Sequence, residues 1–124
     1  MELKSILKEI LTAHSAWLQT EGKEGRRAEL QGAVLQEADL HDADLREADL
    51  RGAKLSVADL MRTNLSRAKL QQVDFWMADM KDTILTDAEL QGANLTDVTN
   101  LTAAQVESAI TDETTILPAG LRRS

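Results

Sequence analysis

Leucine recurs at every fifth position over more than half of this chain, and few backbones can satisfy that rhythm. The series runs Leu30, Leu35, Leu40, Leu45, Leu50, Leu55, Leu60, Leu65, Leu70, Leu85, Leu90 and Leu95, with Phe75 and Met80 filling the two remaining places. Two residues before each stands a small or β-branched residue, from Ala28, Ala33 and Ala38 through Thr63, Val73 and Thr83 to Ala93. The unit is A-x-L-x-x, fourteen times without a missed step. On an α-helix, side chains five apart spiral around every face, and in a continuous strand they alternate between faces. The backbone must therefore turn once per unit. Within a unit the spacing of two puts the small residue and the leucine on one side of a short extended segment, and the next two residues turn a corner. Coils built this way stack Leu on Leu and Ala on Ala.

The outward positions show how many units close one coil. A period of twenty aligns Gly32, Gly52 and Gly92 at one corner and Asp39, Asp59 and Asp79 in one column. It also makes two columns of alternating charge, Glu47, Arg67, Asp87 and Asp42, Arg62, Asp82. Alternation is favourable between neighbours about 4.8 Å apart. Four sides per coil follow, so fourteen units make about three and a half coils, a stack ~17 Å tall at the interstrand spacing.

The segments ADLHDADLREADL, RGAKLSVADL and QGANLTD resemble the pentapeptide-repeat family, whose consensus is A(D/N)LXX, over 70 of the 124 residues. The resemblance implies an all-β solenoid, a right-handed quadrilateral β-helix with Leu and Ala inward and the other three positions outward. It further implies a bacterial source, for instance a cyanobacterium. Departures are local: Val34 and Ile84 replace the usual polar residue, and Val73 with Phe75 enlarges one side of the third coil.

A short stack has two open ends, and open coil edges invite end-to-end pairing unless they are covered. The chain divides accordingly into residues 1–27, 28–97 and 98–124, forming one structural domain. In the first segment Leu3, Ile6, Leu7, Ile10, Leu11, Trp17 and Leu18 trace one apolar face of a helix ending before Gly22. Its polar face lacks the basic character of an interfacial membrane helix, so a helix laid over the first coil is expected. In the last segment Leu101 falls one residue late. Thr102 to Gln105 reads as a capping box opening a short helix through about Ile110, followed by ILPAGL as a closing strand or loop. With both ends capped, a monomer is expected.

Composition narrows function by exclusion. There is no cysteine, and one Phe with two Trp leaves only a narrow interior. The first residues interleave Lys4, Lys8 and Glu9 with apolar ones, which fits neither a signal peptide nor a membrane span; a cytoplasmic protein is expected. The net charge of -7 opposes direct nucleic-acid binding. His14 and His41 are the two histidines, and neither sits in a nucleophile, zinc or phosphate motif. His14 reads as a packing residue of the first helix and His41 as an outward residue, so no catalytic residue and no cofactor is assigned. The Asp39, Asp59, Asp79 column offers oxygen ligands for a divalent cation, but ladder spacing is wide for a compact cage, and a solvated polar face is the better reading.

One apolar patch interrupts the charged surface. Trp76 and Met77 face outward, Val57 lies one coil below Met77, and Met61 lies across the adjoining corner. Such patches mark contact sites, unless a cap or loop folds over them. The expectation is a non-enzymatic scaffold for an unidentified protein partner. The resemblance offers an alternative, since some members mimic duplex DNA and bind DNA gyrase, protecting it from quinolones. Residues 28–47 do carry a net -5, but residues 48–67 carry +2, a cationic band across the would-be mimic. The height is also about half of one ~34 Å duplex turn.

Overall fold

A computed structural model describes residues 3–121; the outer ends of the two expected cap segments, 1–2 and 122–124, lie outside the described residues. The repeat region is a stack of extended steps joined by corners, each step pairing in parallel with the residue twenty places on. Four columns result. The first side pairs Glu29, Asp49, Lys69 and Glu89; the second Val34, Lys54, Asp74 and Asn94; the third Asp39, Asp59, Asp79 and Thr99; the fourth Asp44, Asn64 and Ile84. All fourteen ladder residues from Leu30 to Leu95 are buried, because only the inward positions escape water on every side.

Each corner is a type II turn. The fifth residue of the unit has positive φ, as at Gly32 (67°), Glu47 (64°) and Arg62 (57°), and the next amide closes the turn, as Ala33 N–H does on Leu30 O at 3.0 Å. Glycine, Asn and Asp tolerate this conformation. At Val57, φ is 59° on a β-branched residue, the costliest side chain to hold there.

The corner leaves the first turn amide without a backbone partner, and the Asp or Asn two residues earlier supplies one. Asp39, Asp44, Asp49, Asp59, Asn64, Asp74, Asp79 and Asn94 each accept, through Oδ1, the N–H of the residue two places on, at 3.0–3.3 Å. The Asp or Asn of the repeat is thus a turn-forming residue. Inside the coil, threonine at the small position keeps its hydroxyl satisfied: Thr63 and Thr83 donate to Leu40 O and Leu60 O at 2.7 and 2.6 Å.

Helix α1 spans Leu3–Gln19. Leu7 joins the buried core and Ile10 and Leu11 pack against it. The expected apolar face is only partly used, since Leu3 and Ile6 are exposed, the first turn of the helix reaching past the packed region. Gly25 shows how closely the linker returns along α1: a Cβ there would stand 2.2 Å from Ala13 O. The positive φ of 74° at this residue also suits glycine.

Beyond Leu95 the pairing continues to Thr99 and then resumes at Ile110, against Glu89, and at Ile116, against Asn94. Helix α2, Ala103–Ser108, is inserted between, opened by the capping box of Thr102 and Gln105. It ends two residues short of the expected Ile110 because that residue is drawn into the first side. Thr115 and Leu117 are buried, and the Thr115 hydroxyl donates to Leu90 O at 2.8 Å. The segment expected as a closing strand or loop therefore completes one more disguised repeat unit, Thr115 to Leu117. A 3-10 turn, Ala119–Leu121, follows.

Candidate interaction surface

The corner between the second and third sides carries the main apolar exposure. Trp76 (42% exposed) and Met77 (46%) occupy one turn, and Val57 (45%) the turn one coil below. The backbone fixes this neighbourhood: Val57 N–H donates to Trp76 O at 2.8 Å, and Trp76 N–H to Asp74 Oδ1 at 3.0 Å. Met61 is placed differently. It is half-buried at the far end of the third side, with outward Asp59 between it and Val57. Three of the four expected patch residues are thus gathered at one corner, and the fourth stands apart. Val34 is exposed on the first coil of the second side, Ile84 on the fourth side, and Ile110 and Ile116 where the chain pairs with Glu89 and Asn94.

The expected charge columns form ion pairs in part. Arg62 Nε donates to Asp42 Oδ1 at 2.6 Å, and Arg67 Nη2 to Glu47 Oε2 at 3.4 Å. Asp49 departs from the outward pattern: its carboxylate is buried, receiving Arg51 at 2.9 and 2.6 Å and the Gln31 amide at 2.9 Å. The Arg51 hydrogen bonds hold the Asp49 carboxyl below the ordinary 3.8, as Arg46 does for Asp44.

His41 is brought against the Asp column, a closeness the sequence did not reveal. Its Nδ1 bonds to Asp39 and lies 3.7 Å from Asp59 Oδ2, and its Nε2 lies 3.9 Å from Asp42 Oδ2. The Asp39 hydrogen bond raises the imidazole above its ordinary value and lowers the carboxyl. Among the described residues, Asp39, His41 and Asp59 form a trio of ligand-type groups within 4.8 Å of one another. Their Oδ1 atoms on Asp39 and Asp59 already serve the turns, so the trio reads as an exposed charge cluster on a turn-forming column. Asp79, the third member of the expected column, accepts the Lys81 amide in the same way and also the Asn100 side chain.

His14 is fully enclosed. Its Nδ1 accepts the Ala28 N–H at 2.8 Å, its Nε2 lies 2.8 Å from Arg46 O, and the ring stacks on Trp17 at 5.7 Å between centroids. At the opposite end the Gln105 amide donates to Met80 O and Thr83 O, both at 2.9 Å. It thus serves carbonyls flanking the corner between the third and fourth sides, and on the fourth side no pairing step beyond Ile84 is present among the described residues. No described helix is long and apolar enough to cross a membrane.

The chain belongs to the pentapeptide-repeat family: the family described as Pentapeptide repeats matches in 8 copies over residues 26–60 and 63–99. No curated protein sequence matches. Among solved structures, the chain is similar to a pentapeptide repeat protein from the Arabidopsis thaliana thylakoid lumen, at 27% identity and a TM-score of 0.59. That match covers 68% of this chain, which spans 55% of the length of the other. It is also similar to pentapeptide repeat proteins from the cyanobacterium Cyanothece 51142 (28% identity, TM-score 0.44, covering 77% and 68% of the two chains) and from Nostoc Pcc 7120 (28%, 0.41, 90% and 86%). The architecture is accordingly the right-handed quadrilateral β-helix of this family. Proteins of this family are in general structural or interaction scaffolds.

Proposed function

We propose that this chain is a non-enzymatic, cytoplasmic scaffold that binds a protein partner through the corner formed by Val57, Trp76 and Met77, with Met61 at its margin. The observation that carries this reading is the exposure of Trp76 and Met77 together, in one turn, on a surface otherwise dominated by charge. Trp and Met are enriched in interface cores, and a rigid corner presents them with little ordering to be done on binding. The Val57 backbone strain in the same corner fits a binding role, since strained positions gather at functional sites.

The finer architecture belongs to the same reading: about three and a half coils over 28–97, an N-terminal cap in 1–27 and a C-terminal cap in 98–124, together one monomeric domain. The His14 and Gln105 bonds support the two caps, each tying a helix to the coil it meets. Gyrase mimicry is the weaker alternative, because the +2 net charge of residues 48–67 interrupts the acidic surface.

Replacing Trp76 with Ala tests the proposal. Partner capture from the source organism should fall sharply while the melting temperature stays near that of the parent. Unchanged capture would remove the corner from the account, a large fall in melting temperature would show Trp76 to be structural, and inhibition of gyrase supercoiling at sub-micromolar protein would favour the alternative.

A further inference from the structure

We propose that His14 is an acid-sensitive latch: as the neutral imidazole it clamps α1 to the first coil, and on protonation it must release Ala28 and let the helix leave. The hydrogen bonds fix the neutral form. A backbone N–H can only donate, so the 2.8 Å contact from Ala28 leaves Nδ1 without a hydrogen. The ring hydrogen then sits on Nε2 and is donated to Arg46 O, also at 2.8 Å. Both nitrogens are committed, one to each end of the first coil, and no water reaches the ring.

A second proton has one place to go, Nδ1, where it would point at the Ala28 N–H. Two donors would then face each other in an enclosed site. Ala28 cannot retreat, because it is itself buried and its carbonyl accepts the Asp49 N–H at 3.0 Å in the next coil. The ring has to move, and with it Trp17, stacked at 17° to its plane, and the helix that carries both.

The charges facing the ring come from the coil and the linker. Asp44 and Glu47 favour the cation and Arg27 opposes it; Asp44 is already paired with Arg46 at 2.7 Å. From α1 the ring meets uncharged Trp17. Burial outweighs the acids and holds the imidazole below its ordinary 6.5. The folded chain therefore takes up this proton at lower pH than the unfolded chain does. Docking is complete above about pH 6.5 and is lost as pH falls from there through the lowered folded value. Release would bare the outer edge of the first coil, whose Ala33, Ala38 and Ala43 are only half-buried with the helix in place.

The test uses the full chain carrying Trp76→Phe, so that Trp17 alone reports fluorescence, together with NMR of the His14 ring and the Ala28 amide. On acidification, His14 protonation, a red shift of Trp17 emission and loss of Ala28 amide protection should share one reversible midpoint below pH 6.5, with Leu60 and Leu65 methyl signals unchanged. Adding His14→Gln, whose amide does not titrate, should flatten the Trp17 profile, whether the helix is docked or free. Protonation of His14 with Ala28 protection intact would overturn the proposal, and so would a Trp17 step that survives in His14→Gln.

Discussion

Replacing Phe75 with Ala should cost far more than replacing its neighbour Trp76, although both are large aromatic residues adjacent in sequence. Phe75 is fully enclosed in the ladder, with Leu55 one coil below and Leu95 one coil above. Hydrogen bonds pin the backbone on both sides: Phe75 N–H donates to Asn94 O at 2.9 Å, and Leu55 N–H to Asp74 O at 2.8 Å. The walls of the resulting cavity cannot move inward without breaking that ladder. The loss should therefore approach the upper part of the ~3–5 kcal/mol range for burying nothing where a phenyl ring stood, out of a total of ~5–15 kcal/mol for a domain. With a urea dependence of about 1–3 kcal/mol per M, a loss of ~4 kcal/mol lowers the unfolding midpoint by about 1.3–4 M. Urea unfolding followed by far-ultraviolet circular dichroism reads this directly. Trp76→Ala, at a half-exposed corner, should lose less than half as much. Equal losses, or a larger one at Trp76, would refute the inward and outward alternation on which the reasoning stands.

Asp49→Asn should lower stability at pH 7 by about 1 kcal/mol, once the half exposure of Arg51 is allowed for. Because the folded Asp49 carboxyl lies below 3.8, its contribution is present above that pH and lost as pH falls through the folded value. The gap between the two proteins in urea midpoint should persist at pH 5 and close only well below pH 3.8. Gln105→Ala removes a capping-box partner and two carbonyl contacts at once, and should cost ~1–2 kcal/mol. Amide exchange should quicken selectively in α2, with the central coils unaffected; uniform quickening would argue that α2 is integral to the stack.

The repeating ladder was legible because burial repeats it: every fifth side chain meets the same surroundings, so the pattern survives the replacement of Leu by Phe75 and Met80. Corner positions were legible for the same reason, which is why Trp76, Met77 and Val57 were expected outside. What escaped was chemistry between residues far apart in sequence. His14 meets partners 14 and 32 residues away, and nothing local announces them. Asp49 looks like any outward aspartate beside Arg51 until Gln31, 18 residues away, reaches its carboxylate from the coil below. The tripeptide Thr115, Ile116, Leu117 matches the repeat unit, but inserting α2 shifts its pairing to a step of 22 residues, so a search at a fixed period ends at Leu95. The separation of Met61 from the corner needs the width of the third side, a quantity set by the fold.

Long-range methyl contacts measured by NMR in solution test the central claim most directly. Stacked coils require cross-peaks between side chains twenty residues apart, such as Leu45 with Leu65, Leu50 with Leu70 and Leu60 with Met80. Contacts confined to residues three or four apart, with those pairs silent, would contradict the account.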